Sequence, residues 1–356
     1  MKIELLFAIF ALIGALDKIT GNHFKLGDEF ENGIMTSGAL ILSMSGIIVL
    51  TPVISSGLLS IFEPVLNFLH IDASIIASFL PVDAGGASMA FELSGASAIS
   101  RYHGIVIAST FGAAICPAIP LSLQMIERKY HEDVLIGLLC GFATIPVGCI
   151  LAGLMLGIPF AKLILNTLLI IIISFFICLG LWKFPSLSRK IFGIVGKILM
   201  IFVTTGLCVG ICRQLLGYEI IKGTAPIEES FVIVGNIAII LAGVFPLMSI
   251  VSRLLNKVLF RIGNILKLDN TSILGLLMSL ANYIPVFSMV KNMNRKGRIM
   301  NMAFCVSAAF ALGDHLAFVL AFDRASLPPM LAGKLISGIL ALVLSNFVYN
   351  KMQKSS

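Results

Sequence analysis

Asp314 and His315 lie side by side in an apolar stretch from Ile299 to Phe322 that has no other charged side chain. A stretch this long and apolar predicts one membrane-spanning helix, with the pair inside the bilayer. A charge at mid-bilayer costs roughly 2.5–3.5 kcal/mol on insertion scales, so such residues normally face a cavity or a partner. The pair is therefore a candidate solute site.

Two further carboxylates, Asp83 and Glu92, lie nine residues apart in the apolar segment 73–98. Together with Asp314 they give three acidic groups at membrane depth, where His315 is the only expected cation. An excess of buried anions predicts a cationic guest, which is a protonated amine, Na⁺ or protons taken up by the carboxylates themselves.

Aromatic and neutral polar side chains complete the candidate site. Tyr283 and Phe310 offer cation–π attraction of about 0.5–2 kcal/mol to an ammonium group. Asn282 and Ser307 offer donors and acceptors that suit a hydroxyl. These residue types together fit a small cation that also carries a hydroxyl group.

Structural roles for the same residues stay open. Asp83 is able to cap a half-helix, and Asn282 is able to satisfy a broken backbone. Glu92 fits a helix end near the membrane interface. Asp314 and His315 are able to bond each other and only lock the packing. The residue types alone do not separate these roles from solute binding.

Composition sets the class of protein. Hydrophobic residues make up 58% of the 356 residues and charged residues 12%, and the mean hydropathy is +1.04. No soluble domain of this length needs so much apolar surface, so we predict an all-α, polytopic membrane protein. About ten or eleven transmembrane helices are expected, near residues 3–16, 34–57, 73–98, 102–125, 134–158, 162–182, 191–216, 231–252, 270–290, 299–322 and 327–350.

The net charge of +7 comes from basic residues in short loops, which suits anionic cytoplasmic lipid and not nucleic acid. The chain has no GxxxxGK[ST] motif for ATP. Its seven cysteines lie in apolar segments without CxxC or Cys/His metal spacing. We therefore predict membrane lipid as a partner, no nucleic acid, no cofactor and no metal.

Segments 73–98 and 270–290 contain helix breakers, at Pro81–Gly86 in the first and Asn282–Pro285 in the second. Freed backbone groups are tolerated in lipid only where they line a cavity or are buried in protein. Two such interruptions predict discontinuous helices that meet near the midplane, which points to a transporter's binding site.

The breaks occupy matching places in two halves of the chain. Asp83 and Asn282 are 282 − 83 = 199 residues apart, and Phe111 and Phe310 are 310 − 111 = 199 apart. This weak similarity predicts two structural repeats, and leaves open whether they are inverted or parallel. The predicted domains are a first transmembrane repeat (1–160), a linking helix and loop (161–190) and a second transmembrane repeat (191–356).

Several stretches resemble the ethanolamine permease family of bacterial ethanolamine-utilisation operons. They are Ser307–Leu316, Leu280–Pro285, Asp83–Gly86, Phe30–Gly33 with Gly38–Leu40, and Thr144–Cys149. The resemblance implies a multi-pass protein of the bacterial inner membrane that admits ethanolamine. It also implies a functional link to ethanolamine ammonia-lyase, which consumes ethanolamine in a cytoplasmic microcompartment.

The residues and the resemblance together give one hypothesis for the site. Asp314 and Asp83 balance the ammonium of ethanolamine, while Asn282 and a serine engage its hydroxyl. Glu92 and His315 tune charge or gating, since histidine titrates near neutral pH. Transport is facilitated diffusion, or proton-linked, by alternating access.

Other classes of function stay open at this point. An ion-coupled symporter for another solute and a channel both fit the same pattern, and a homo-oligomer is compatible with the sequence. An intramembrane enzyme is disfavoured, because adjacent residues on a helix point roughly 100° apart. No HExxH or GxSxG motif completes a catalytic set either.

Overall fold

The fold is built from helices. The computed structural model describes the backbone of residues 2–355, and their side chains except those of residues 2, 255–260, 262, 264 and 355. No strand occurs within residues 2–355. The α-helices are α1 (Lys2–Ile19), α2 (Leu26–Leu40), α3 (Gly46–Leu69), α4 (Ala87–Ser94), α5 (Ala98–Arg101), α6 (Ile119–Met125), α7 (His131–Met155), α8 (Phe160–Lys183), α9 (Pro185–Leu216), α10 (Ile227–Leu266), α11 (Asn270–Ala281), α12 (Ile284–Met289), α13 (Arg295–Ala308), α14 (Asp314–Phe322) and α15 (Leu327–Ser355).

Seven helical runs of the described chain are long and apolar enough to cross a membrane. They are Leu26–Leu69, Ala98–Met125, Arg128–Met155, Phe160–Lys183, Pro185–Leu216, Ile227–Leu254 and Arg324–Lys354. Their outer faces carry large exposed apolar side chains such as Phe175, Phe176 and Ile201, which suit contact with lipid. The chain is an all-α, multi-pass membrane protein, which confirms the predicted fold class.

Residues 73–94 fold back on themselves and are termed hairpin 1. The inward arm is the 3-10 helix Ala73–Phe79, and the outward arm is α4. The Asp72 carboxylate accepts hydrogen bonds from the hydroxyls of Ser74 and Ser94, each at 2.6 Å. Since Asp72 precedes the hairpin and Ser94 ends it, the start of the inward arm and the end of the outward arm lie side by side.

Residues 270–292 form a second such element, hairpin 2, whose arms contain α11 and α12. Here the Asp269 carboxylate accepts from the Ser272 hydroxyl at 2.8 Å and from the Asn294 amide at 2.7 Å. Burial raises the pKa of Asp269, but these donors outweigh burial and hold the pKa below its ordinary value. A charged carboxylate therefore ties the two ends of hairpin 2 together.

The prediction of one unbroken helix from Ile299 to Phe322 is wrong. Helix α13 ends at Ala308 and α14 begins at Asp314, with a turn between them. Within the turn Phe310 has a φ of 61°, a left-handed conformation that costs a non-glycine residue about 1–2 kcal/mol. Hydropathy did not reveal the break, because the turn is as apolar as the helices that it joins.

Two buried ion-pair sites connect early and late parts of the chain. Arg101 Nε donates to Asp323 Oδ2 at 2.7 Å, beside the start of α15. Arg298 Nε donates to Asp133 Oδ2 at 2.7 Å, in the first turn of α7, and Arg295 Nε donates to the other oxygen of Asp133 at 2.9 Å. These contacts fix the long helices that surround the hairpins.

We expect Asp133→Asn to lower the free energy of unfolding by about 2–3 kcal/mol. A fully buried ion pair loses roughly 3–5 kcal/mol when one partner is removed, and here Arg295 is 47% exposed. Glu132, whose side chain is 73% exposed, bonds the same Arg295, so Glu132→Gln is the matched control and changes stability by less than about 0.5 kcal/mol. Chemical unfolding in detergent measures both, and equal effects would contradict the assignment.

Candidate functional site

Hairpin 1 turns at Pro81, whose carbonyl accepts from the amides of Ala84 at 3.1 Å and Gly86 at 2.9 Å. Gly85 has a φ of 98°, a conformation that glycine adopts without strain. Asp83 lies in this turn, and the backbone amides of Asp83 and Ala84 lie near its carboxylate and favour its charge. The proline and glycines thus fix an acidic side chain at the tip of the hairpin.

Hairpin 2 turns at Asn282, which is extended, with a φ of −160° and a ψ of 133°. Its side-chain oxygen accepts from the Ile284 amide at 2.8 Å, and Pro285 in the first turn of α12 has no backbone N–H that would need an acceptor. Asn282 therefore does satisfy part of the broken backbone. Tyr283, next in the chain, is buried at this tip.

The turn between α13 and α14 lies against the tip of hairpin 2. The amide of Phe310 donates to the carbonyl of Ser279 at 3.0 Å, and the amide of Leu312 donates to that of Leu280 at 2.8 Å. Backbone amides in the turn between α13 and α14 therefore bond backbone carbonyls near the break in hairpin 2. This pairing places the start of α14 beside hairpin 2.

Asp83 and Asp314 both lie at these breaks, near enough for the charge of one carboxylate to act on the other. Asp314 is the first residue of α14, where the helix dipole favours a negative charge, and the charge of Asp83 acts on it. His315 Nε2 lies 3.7 Å from Asp83 Oδ1, with the His315 side chain 2% exposed and that of Asp83 19% exposed. Two carboxylates from separate parts of the chain therefore share one largely buried space.

Aromatic rings cover one side of this space. The Tyr283 ring stacks on Phe287 at 4.8 Å between centroids and meets the Phe310 ring edge-on at 4.7 Å. The Phe310 ring in turn lies 5.2 Å from the His315 ring. The charges of Asp83 and Asp314 both act on Tyr283. The faces of such rings attract a cation within about 6 Å of the ring centre.

Two buried polar atoms of the candidate residues have no hydrogen-bond partner within the described chain. They are Ser307 Oγ, two residues before the turn, and His315 Nδ1. An unsatisfied buried group costs about 1–3 kcal/mol, and native proteins keep few of them. A bound polar molecule is one way to satisfy these atoms.

The expectation that His315 is the only cation at this depth is wrong, because Lys334 of α15 is a second one. Its side chain is 1% exposed, and its Nζ donates to the carbonyl of Ser109. The charges of Lys334 and Asp83 act on each other. The sequence signal for a buried cation was the position of Lys334 inside the apolar segment 327–350.

Two candidate residues are not brought into the carboxylate cluster. Glu92 lies exposed on α4, away from the tip of hairpin 1. Asn282 is half-buried and borders a cleft of about 370 Å³ between α10 and hairpin 2. The cleft is lined by Glu29, Phe245, Met248, Ser249, Val251, Ser252, Leu274, Leu277, Met278, Ala281, Asn282 and Pro285.

Discontinuous helices that meet around buried charges are the pattern of membrane transporters. Comparison with known families agrees with this class, since the model of the family described as ethanolamine utilisation protein, EutH, matches residues 2–348. The chain belongs to that family. The family description and the relatives named probable ethanolamine permease indicate a transporter rather than an enzyme.

Three relatives are similar over most of their length. The probable ethanolamine permease EutH of Listeria monocytogenes serotype 1/2a is 40% identical over 352 residues, covering 99% of this chain and 94% of the relative. The probable ethanolamine permease EutH of Escherichia coli K12 is 36% identical, covering 89% and 84%. The uncharacterized protein YxeR of Bacillus subtilis 168 is 34% identical, covering 94% and 91%. No solved structure matches the chain.

We expect Gly313→Ala to destabilise the protein by about 1–3 kcal/mol, because an added Cβ would meet the carbonyl of Ala281 in hairpin 2. Gly38→Ala in α2 is the control, since a Cβ there meets nothing within 4 Å and alanine favours the helix. Thermal unfolding in detergent compares the two. Equal stability of both variants would show that the turn does not pack against hairpin 2 as described.

Proposed function

We propose that this chain is an ethanolamine carrier of the bacterial inner membrane that supplies ethanolamine to its utilisation pathway. The single observation that supports it most is the pair Asp83 and Asp314, two largely buried carboxylates at helix breaks whose charges act on each other. Like charges in a dry space repel, and a small organic cation between them removes the repulsion. The printed names of the relatives supply the identity of that cation.

In the proposed complex the ammonium lies between Asp83 and Asp314, against the rings of Tyr283 and Phe310. The hydroxyl of ethanolamine reaches the two unpartnered atoms, Ser307 Oγ and His315 Nδ1. The contact predicted between Asn282 and the hydroxyl is not part of this binding mode, since its side-chain oxygen bonds the backbone and it borders the cleft outside the cluster. The gating role predicted for Glu92 is a separate proposal, since Glu92 is exposed outside the cluster.

We further propose that the two halves are inverted repeats, as two sets of contacts support. Asp72 and Asp269, 269 − 72 = 197 residues apart, each tie the ends of one hairpin. Arg101 and Arg298, 298 − 101 = 197 apart, each pair with an aspartate of the other half. The same spacing relates both pairs.

The proposed inverted orientation of the repeats is argued from these ion pairs between the two halves. Arg101 lies at the start of the run Ala98–Met125, whose 28 residues extend on the order of 40 Å. Asp133 follows the other end of that run, in the first turn of α7. Asp323 lies with Arg101, whereas Arg298 lies with Asp133. Equivalent arginines are therefore on opposite membrane faces. Hairpin 1 enters from one face and hairpin 2 from the other, so each is placed to close one route to the site.

The face that holds the ends of hairpin 2 is the cytoplasmic one in this proposal, because basic residues concentrate there. Two hydrogen bonds between loops of this face support the proposal. The Arg253 guanidinium donates to the carbonyl of Phe24, and the Tyr130 hydroxyl donates to the carbonyl of Lys291. The basic residues of this face include Lys18, Lys25, Arg128, Lys129, Arg253, Lys267, Lys291, Arg295, Arg298, Lys351 and Lys354.

Asp83→Asn and Asp314→Asn are each expected to lower uptake of labelled ethanolamine by at least about tenfold, since a buried charge partner is worth 2–5 kcal/mol, roughly. Cells at mildly acidic pH with matched expression give the rates. Glu127→Gln, an exposed carboxylate that pairs with Lys129, is the control and transports like wild type. Wild-type rates in both aspartate variants would rule out the site, and absence of counterflow in proteoliposomes would indicate a pore instead of a carrier.

His70 and Lys267 give a direct test of the repeat orientation. Each precedes a hairpin in a left-handed conformation, at φ of 54° and 55°, and they are 267 − 70 = 197 residues apart. We expect a membrane-impermeant maleimide to label His70→Cys but not Lys267→Cys in intact cells, with both labelled after permeabilisation. The unsubstituted chain measures the background from native cysteines. Labelling of both variants in intact cells would indicate parallel repeats.

A further inference from the structure

Lys334 is a charged residue that the proposed binding mode does not yet use. It lies on α15 with its side chain 1% exposed, and its Nζ donates to the carbonyl of Ser109. Gly333, next to it, packs closely on Val106 and Ala152, so the helix that carries the lysine has little room to move. The amine of Lys334 is therefore held in one position.

The charged groups around the site give a simple balance. Asp83 and Asp314 contribute two negative charges when ionised, and Lys334 contributes one positive charge that acts on Asp83. The other groups that face Lys334 are His315 and the thiol of Cys149, both neutral in this balance. With both carboxylates ionised and Lys334 protonated, the site without substrate has a net charge of minus one, and one monovalent cation brings it to zero.

We propose that Lys334 restricts the site to guests with a single positive charge, an inference that rests on the proposed function. Its ammonium cancels one of two carboxylates, so a monocation such as protonated ethanolamine is matched. A dication of the same length brings a second positive charge that no carboxylate balances, and in a poorly screened space Lys334 repels that charge. Without Lys334 the same two carboxylates match a dication.

Ethylenediamine is the probe for this proposal, because it replaces the hydroxyl of ethanolamine by a second amine at nearly the same length. At mildly acidic pH both of its nitrogens are largely protonated. The measurement is the ratio of its inhibition constant to that of unlabelled ethanolamine, against binding of labelled ethanolamine to purified protein. We expect Lys334→Met to shift this ratio toward ethylenediamine by at least about tenfold.

Three further variants make the result specific. Lys334→Arg keeps the charge and is expected to keep the wild-type ratio. Lys296→Met removes another buried lysine, which contacts Tyr349 far along α15, and also keeps it. The double variant Lys334→Met with Asp83→Asn restores a net charge of minus one, so its ratio returns toward wild type even though binding is weaker.

The outcomes separate this inference from the function on which it rests. If the wild-type protein binds no ethanolamine, the proposed function fails. If wild type binds ethanolamine but Lys334→Met keeps the wild-type ratio, the role of Lys334 is wrong. Should the single variant not fold, as size-exclusion chromatography would show, the double variant and Lys334→Arg still decide: a diamine-selective double variant or a shifted arginine variant would overturn the proposal.

Discussion

The structure depends on one constraint, which is that a backbone interrupted inside a membrane must find hydrogen-bond partners within the protein. The chain meets it by pairing breaks. The amides of Phe310 and Leu312 bond the carbonyls that end α11, and the side chain of Asn282 bonds the amide of Ile284. Because the turn between α13 and α14 and the tip of hairpin 2 satisfy each other, they lie together, and the Tyr283 and Phe310 rings come into contact.

Burial of charge at that place is the energetic cost that the site carries. Nearby backbone amides favour the charge of Asp83, and the N-terminus of α14 favours that of Asp314, but the repulsion between the two carboxylates is left. A purely structural pair would end with its charges cancelled, as Asp133 does between Arg295 and Arg298. The central pair differs because its nearest ring, His315, retains an unpartnered nitrogen within the described chain.

Much of this arrangement was predictable wherever residue type fixes the backbone. Pro81 and the glycines after it marked one break, and Pro285 the other, because proline lacks an amide and glycine allows positive φ. The turn at Phe310 was not predictable, since nothing in a phenylalanine indicates a φ of 61°. Lys334 was present in the sequence but was passed over, because one lysine changes the hydropathy of a long apolar segment little. The hairpins were not predictable from the sequence, because the contact between Asp72 and Ser94 forms only when the two arms fold back on each other.

If the halves are repeats, as proposed, the charged residues of the site are where they differ. Asp83 corresponds to Asn282, and Asp314, at 314 − 115 = 199, corresponds to Ile115. Lys334 corresponds to Leu138 when α7 and α15 are aligned at their starts, since 334 − 138 = 327 − 131 = 196. The elements that hold the hairpins are shared, whereas each charge occurs once. A symmetric frame is suited to opening toward either face, but one guest cation needs a single unbalanced negative charge, and duplication of the charges would double it. In this proposal, therefore, the residues that differ between the repeats bind the cation, and the elements that the repeats share allow the site to open toward either membrane face.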